Sequence, residues 1–256
     1  MLLLASLFSS RSSCPANPEE KELVEHGFEV LAAHLGESRL RDATVIEPTP
    51  AFFPDPWDGS PAAASRLFAR VCGFMQIDSG SLDLSFWNEE RERPSPIANS
   101  AETRGASGYY SQKDGIEHVS VNAKELTDPE SLVSTIAHEL AHVILLGRSG
   151  MPHDEPHMEA ITDLATIYLG LGIFTSNTLL RRRAWTEGNR EGWSVSRKGY
   201  ISPEMAGWAL SLFAWKRSDV KPKWSRHLAT DGKAYLKKGL RYLAANPDKS
   251  HRVSTT

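Results

Sequence analysis

The sequence predicts an α+β fold that is mostly helical, with a small antiparallel sheet beside a pair of helices and a helical C-terminal subdomain. Three observations carry that expectation. Apolar residues recur at helical spacing in several well-bounded segments. Two short strand-like stretches meet at Asp114-Gly115, a strong hairpin dipeptide, just ahead of a strongly apolar helix. A chain of 256 residues that is 40% hydrophobic is also long enough to bury a substantial core. The organisation reads as an N-terminal helical and strand region over 1–100, a core over 101–175 and a basic helical subdomain over 176–256, with one compact domain as the alternative.

Taken in order, Leu23, Val24, Phe28, Leu31 and Leu35 make one face of a helix from Pro18 to Leu35 that Gly36 ends. The prolines of 48–57 exclude a central helix or strand there and predict an extended loop. An amphipathic helix around Leu67 follows, and then Leu82, Leu84 and Phe86 alternate as a strand does. Charged, proline-bearing residues 89–96 read as a solvated connection. The hairpin over 105–121 precedes Thr127-Asp128-Pro129-Glu130, which opens the next helix with an N-cap candidate, an early proline and a first-turn carboxylate, and Gly147 is its stop. Beyond residue 175, Ser202-Pro203-Glu204 opens an amphipathic helix through Trp208, Leu212 and Trp215, and another spans about 233–245.

Charge is unevenly spread. Residues 176–256 carry 17 Lys/Arg against 6 Asp/Glu, whereas 1–175 carry 12 against 26, so the two parts attract one another. The runs Arg181-Arg182-Arg183 and Lys237-Lys238 therefore read as solvated faces and contacts to the acidic part; no nucleic-acid motif accompanies them and no nucleic-acid partner is expected. The tryptophans 185, 193, 208, 215 and 224 read as helical core. Cys14 and Cys72 form neither a disulfide framework nor a C-x-x-C pair. The apolar Met1 to Phe8 stretch lacks a preceding basic residue and is too short to span a bilayer, so the expectation is a cytoplasmic protein without a membrane partner, with an atypical secretory signal as the alternative.

The segment that carries chemistry is His138-Glu139-Leu140-Ala141-His142, an H-E-x-x-H set in an apolar helix. Histidines at i and i+4 share one helix face, so both imidazoles reach one zinc ion, and the glutamate between them faces the water that the metal holds. Seventeen residues past His142 comes Glu159, with Asp163 one turn further, on a second apolar helix. That helix can offer Glu159 to the metal and Asp163 to the second nitrogen of a ligand histidine. Unpaired, two histidines and a glutamate in so apolar a helix would carry an uncompensated desolvation cost; a purely structural polar cluster is the competing explanation. His153, His157 and Glu155 lie between the two helices and compete as ligands, but His153 sits between two prolines in a loop, and Glu155 suits a helix N-terminus.

His138, Glu139, His142, Glu159 and Asp163 together resemble the active-site pattern of the gluzincin zinc metallopeptidases, the thermolysin-like superfamily, over roughly residues 105–175. The metzincin pattern fails, because Arg148 stands where its third histidine would be, ten residues after His138. One departure from the thermolysin pattern concerns the residue before the third ligand, an asparagine there that supports a histidine and Met158 here. A different group must therefore support that imidazole. The chain is also similar to uncharacterised bacterial proteins in which an A-H-E-L-A-H helix precedes T-D-L, here Thr162-Asp163-Leu164, and G-L-G-I-F, here Gly170 to Phe174.

The resemblance implies Zn2+ held by His138, His142 and Glu159 with one open position, Glu139 as general base and amide hydrolysis as the reaction. It implies peptide or protein substrates, which in that family lie along a strand beside the active-site helix; an ordinary sheet edge is the other reading of the hairpin. A later histidine or tyrosine normally supplies the oxyanion donor in such chains, and Tyr200 and His227 are the candidates. From another functional class, the alternative is a zinc-stabilised, catalytically idle module that binds an acidic partner through its basic helices. The sequence leaves the oligomeric state open.

Overall fold

A computed structural model of the chain describes residues 13–88, 107–188 and 201–246, with the backbone alone over 182–188. Helix α1, Pro18–Leu35, starts with a capping box in which Asn17 and Glu20 satisfy one another's backbone N–H groups, and it buries Val24, Phe28 and Leu31. A short helix α2, Glu37–Arg41, follows at once, and the proline-rich loop then leads to α3, Pro61–Phe74, capped by Ser60. Cys72 is a fully buried core residue of α3.

Three strands form one sheet: β1 (Leu82–Trp87), β2 (Gly108–Lys113) and β3 (Ile116–Asn122), in the order β1-β3-β2. The predicted hairpin joins β2 to β3. Asp114 (φ 52°) and Gly115 (φ 79°) both take left-handed conformations, which a two-residue type I′ turn requires. The sheet is mixed, however, where the sequence predicted an antiparallel one: β1 runs parallel to β3, with Leu82 opposite Glu117 and Trp87 opposite Asn122. Hairpin chemistry is local and settles only β2 with β3, whereas the direction of β1 depends on a long connection. Strand β2 is left at the edge of the sheet, and it packs on the next helix.

That helix, α4 (Pro129–His142), is capped by Asp128, which accepts from the Glu130 and Ser131 N–H groups. Its α-helical pattern stops at His142, and the chain continues as a π-helix over Val143–Arg148, so Gly147 lies inside a wider turn rather than past a helix end. Helix α5, Met158–Tyr168, is buried at every position from Ala160 to Tyr168 and packs between α1 and α4. Gly27 of α1 sits directly over Leu164 of α5. Helix α6 (Gly172–Gly188), α7 (Pro203–Lys216, capped by Ser202) and α8 (Thr230–Ala245) complete the framework, α8 beginning a turn earlier than its apolar spacing suggested.

One hydrophobic core draws on α1, α3, α4, α5, α6, α7 and α8 and on Val119 and Val121 of β3. Trp208 and Trp224 are buried in it and Trp215 packs against it, as expected of the tryptophans; Trp193 lies outside the described residues, as does the side chain of Trp185. The basic C-terminal part does meet the acidic part. Arg181 pairs with Asp128 and Glu130 at the start of α4, and Arg226 with Glu47. These pairs are solvent-exposed, so each contributes at most about 1 kcal/mol. The expectations for Met1 to Phe8 and for 89–96 fall outside the described residues. Among the described residues no helix is long and apolar enough to cross a membrane.

Leu164, fully buried where α1 crosses α5, tests the packing. Leu164→Ala should lower the unfolding free energy by about 2–5 kcal/mol through lost burial and a residual cavity, read as a lower urea midpoint at unchanged m-value.

Candidate metal centre

The site forms where the last turns of α4 face the first turns of α5. Helical spacing puts His138 and His142 on one face of α4, and packing against α5 turns them towards Glu159, Thr162 and Asp163, while Glu139 lies against β2. His138 Nε2 lies 3.1 Å from Glu159 Oε2, and His142 Nε2 lies 3.6 Å from Glu159 Oε1. The ligand-capable atoms of these three residues all fall within 4.8 Å of one another. Tetrahedral zinc with bonds near 2.0–2.1 Å sets its ligand atoms about 3.3 Å apart. The two separations, each to a different Glu159 oxygen, bracket that value, so the three side chains form a group that could hold a metal ion.

Each imidazole is held by its other nitrogen. His138 Nδ1 donates to Asp163 Oδ1 at 2.8 Å, the role the sequence assigned to Asp163. His142 Nδ1 faces Thr162 Oγ1 at 3.4 Å, and that hydroxyl donates its own proton to the Met158 carbonyl at 2.8 Å, which leaves its oxygen to accept. Thr162 is thus the group behind the second imidazole. Sequence reading did not assign it this role, although its spacing was a usable signal: it lies one turn after Glu159, on the same helix face. Asp163 Oδ2 in turn accepts the Ile201 N–H at 3.4 Å, tying the start of the C-terminal segment to the back of the site.

Electrostatics separate the carboxylates. Burial raises Glu139, and the neighbouring His138 and His142 only partly oppose it. For Glu159 burial also acts upward, but hydrogen bonds from His138 and His142 outweigh it and hold the carboxyl well below its usual range. Burial pulls His138 downward, yet its bonds to Asp163 and Glu159 leave it well above the ordinary imidazole value. No described residue hydrogen-bonds to the Glu139 carboxylate. It lies instead against β2 at Gly108, where a Cβ would come within 2.6 Å of Glu139 Oε1; only glycine leaves room for this approach of strand to helix.

The competing residues stay out of the group. His153 and His157 are exposed in the segment before α5, and Glu155 contributes its backbone carbonyl to the turn there. His227 lies at the end of a short 3-10 turn, Lys223–His227, with its ring bonded to Glu47 and Arg226 and to no member of the cluster. Tyr200 lies outside the described residues. Comparison with protein-family models, with curated proteins and with solved structures returned no match for this chain.

A proton on His138 links the metal-free site to pH. Because its folded value is raised, its contribution to stability is complete below the unfolded value near 6.5 and disappears as pH rises through the folded value. Glu159 behaves in the opposite sense: its contribution is present above the ordinary carboxylate range and disappears as pH falls through the lowered folded value. Metal-free protein should therefore lose thermal stability on the alkaline side, and His138→Ala should abolish that loss. A metal ion held by His138 would have to displace the same proton, so if zinc binds here its apparent affinity should climb by about tenfold per pH unit until His138 is neutral, measured by chelator competition. His142→Ala should remove most of the binding.

Proposed function

We propose that this chain is a zinc-dependent metallopeptidase that hydrolyses peptide bonds, with His138, His142 and Glu159 as metal ligands and Glu139 as general base. The observation that carries the reading is Glu139 itself. It is buried, raised in pKa and free of hydrogen-bond partners among the described residues, beside a three-donor group that fits one ion. A site that only needed a structural metal would have no use for an uncommitted carboxylate between its histidines.

Zinc bound there would supply an acidified water and a Lewis acid to polarise the scissile carbonyl. The protein's own groups do the rest. Glu139 takes the proton from the attacking water and passes it to the leaving amine, and its raised pKa suits it to both transfers. Asp163 and Thr162 keep the two Nε2 atoms directed at the ion. Among the described residues strand β2 lies at the edge of the sheet, where an extended peptide would run with its scissile bond over Glu139. For the oxyanion donor we propose Tyr200, which directly precedes Ile201, the residue bonded to Asp163. His227, engaged by Glu47, is the less suited.

Glu139→Gln should keep metal and fold while lowering peptide hydrolysis by orders of magnitude, scored on a broad peptide library with a chelator control. Unchanged turnover would exclude Glu139 as base. A wild-type protein that holds zinc and cleaves nothing would favour the idle binding module instead.

Tyr200→Phe removes a single hydroxyl. As an oxyanion donor it should cost kcat roughly 10²–10³-fold and leave KM, zinc content and melting temperature nearly unchanged. A normal kcat would eliminate Tyr200 and pass the test to His227→Ala.

A further inference from the structure

His142 is the less firmly anchored of the two histidines. Its bond to Thr162 is long, at 3.4 Å, and it is the last α-helical residue of α4, because the wider π-turn begins with Val143. Its ring nevertheless has a second neighbour. Tyr110 of β2 lies parallel to it, with ring centroids 6.3 Å apart and planes 10° from coincidence, while His138 meets it edge-on at 5.0 Å. An offset parallel stack fixes the plane of a ring, which a single hydrogen bond at Nδ1 does not.

Tyr110 is itself fixed. Its hydroxyl donates to Glu117 Oε1 at 3.4 Å, and Glu117 Oε2 accepts from Arg148 Nη2 at 3.4 Å; the same guanidinium nitrogen donates to Ser81 Oγ at 3.2 Å. Tyr110 and Glu117 are diagonal neighbours on one face of the hairpin, since Tyr110 pairs with Val119. Arg148 comes from the π-helix. Between them stands Gly147, where a Cβ would lie 2.1 Å from Glu117 Oε1 and 3.1 Å from the Tyr110 hydroxyl. The Glu117 carboxylate occupies the space that any other side chain at 147 would fill. The π-turn, the glycine and the arginine thus act together to bring one carboxylate against the tyrosine.

We propose that Tyr110, held by Glu117 and Arg148, is a positioning residue for the metal site: it clamps the imidazole plane of His142 so that Nε2 points at the ion. The inference rests on the reading of His138, His142 and Glu159 as metal ligands, and it does not depend on peptide hydrolysis. Burial, helped by the Glu117 charge, pushes the Tyr110 hydroxyl up to about 12, so it remains a donor at any physiological pH.

Tests use the full chain with Zn2+ affinity from chelator competition and with the d–d absorption of the Co2+-substituted protein, which reports ligand geometry. Tyr110→Ala should weaken zinc binding about 10–100-fold, the usual cost of losing a group that orients a ligand, and should shift and broaden the Co2+ bands. Tyr110→Phe keeps the ring and should retain affinity within a few-fold of wild type. Gly147→Ala, which must displace Glu117, should shift the Co2+ bands in the same direction as Tyr110→Ala. Tyr110→Leu keeps much of the packing without an aromatic plane, and it decides the matter if the alanine variant does not fold. Affinity and spectrum both unchanged in the alanine or leucine variant would overturn the positioning role, even if the metal-free protein had become less stable. Failure of the wild-type protein to bind Zn2+ or Co2+ would overturn the metal centre itself, a separate result from unchanged variants.

Discussion

Ionisable side chains between two apolar helices are the constraint on which this molecule turns. His138, Glu139, His142 and Asp163 all lie in the buried or nearly buried contact between α4 and α5, where an isolated charge would cost several kcal/mol. For the histidines and Asp163 the cost is met by mutual engagement, with Asp163 on one nitrogen of His138, Glu159 on the other and Thr162 on His142, whereas burial raises Glu139. This demands one rotational setting and one axial register of α5 against α4. The unbroken burial from Ala160 to Tyr168, with Gly27 of α1 closing over Leu164, supplies the rigidity that keeps that register.

The sheet is small, yet it shapes the site more than its size suggests. Two close approaches depend on glycine, one at Gly108 over Glu139 and one at Gly147 beside Glu117. They bring β2 and β3 against the same helical segment, so Glu139 and His142 both rest on the hairpin. Under the proposed function, the strand edge next to Glu139 would also give an extended peptide a way to bind, since backbone groups offer affinity without regard to side chain. The π-helix after His142 belongs to the same arrangement, because it places Arg148 where Glu117 needs a partner.

The basic C-terminal part has a structural role as well. Ile201 bonds to Asp163, Ser202 donates to Glu20 on α1, and Arg181 reaches the start of α4. Its charge is spent partly on contacts to the acidic part, while Lys233, Lys237, Lys238 and Arg241 of α8 face solvent.

The sequence by itself determined what is local. The limits of α1 and the start of α4 follow from caps, prolines and apolar spacing; the hairpin turn follows from Asp114-Gly115; and the three metal-ligand candidates follow from intervals of four and seventeen residues along the chain. Asp163 was legible for the same reason, as a carboxylate one turn beyond Glu159. Tertiary structure alone decided the parallel setting of β1, the neighbours of His227, the part played by Thr162, and the stack of Tyr110 on His142. Each of these joins groups that are distant in sequence or whose meaning depends on which way a neighbouring helix is turned. Periodicity records which face of an element is buried, and it carries no information on which residue of another element meets that face.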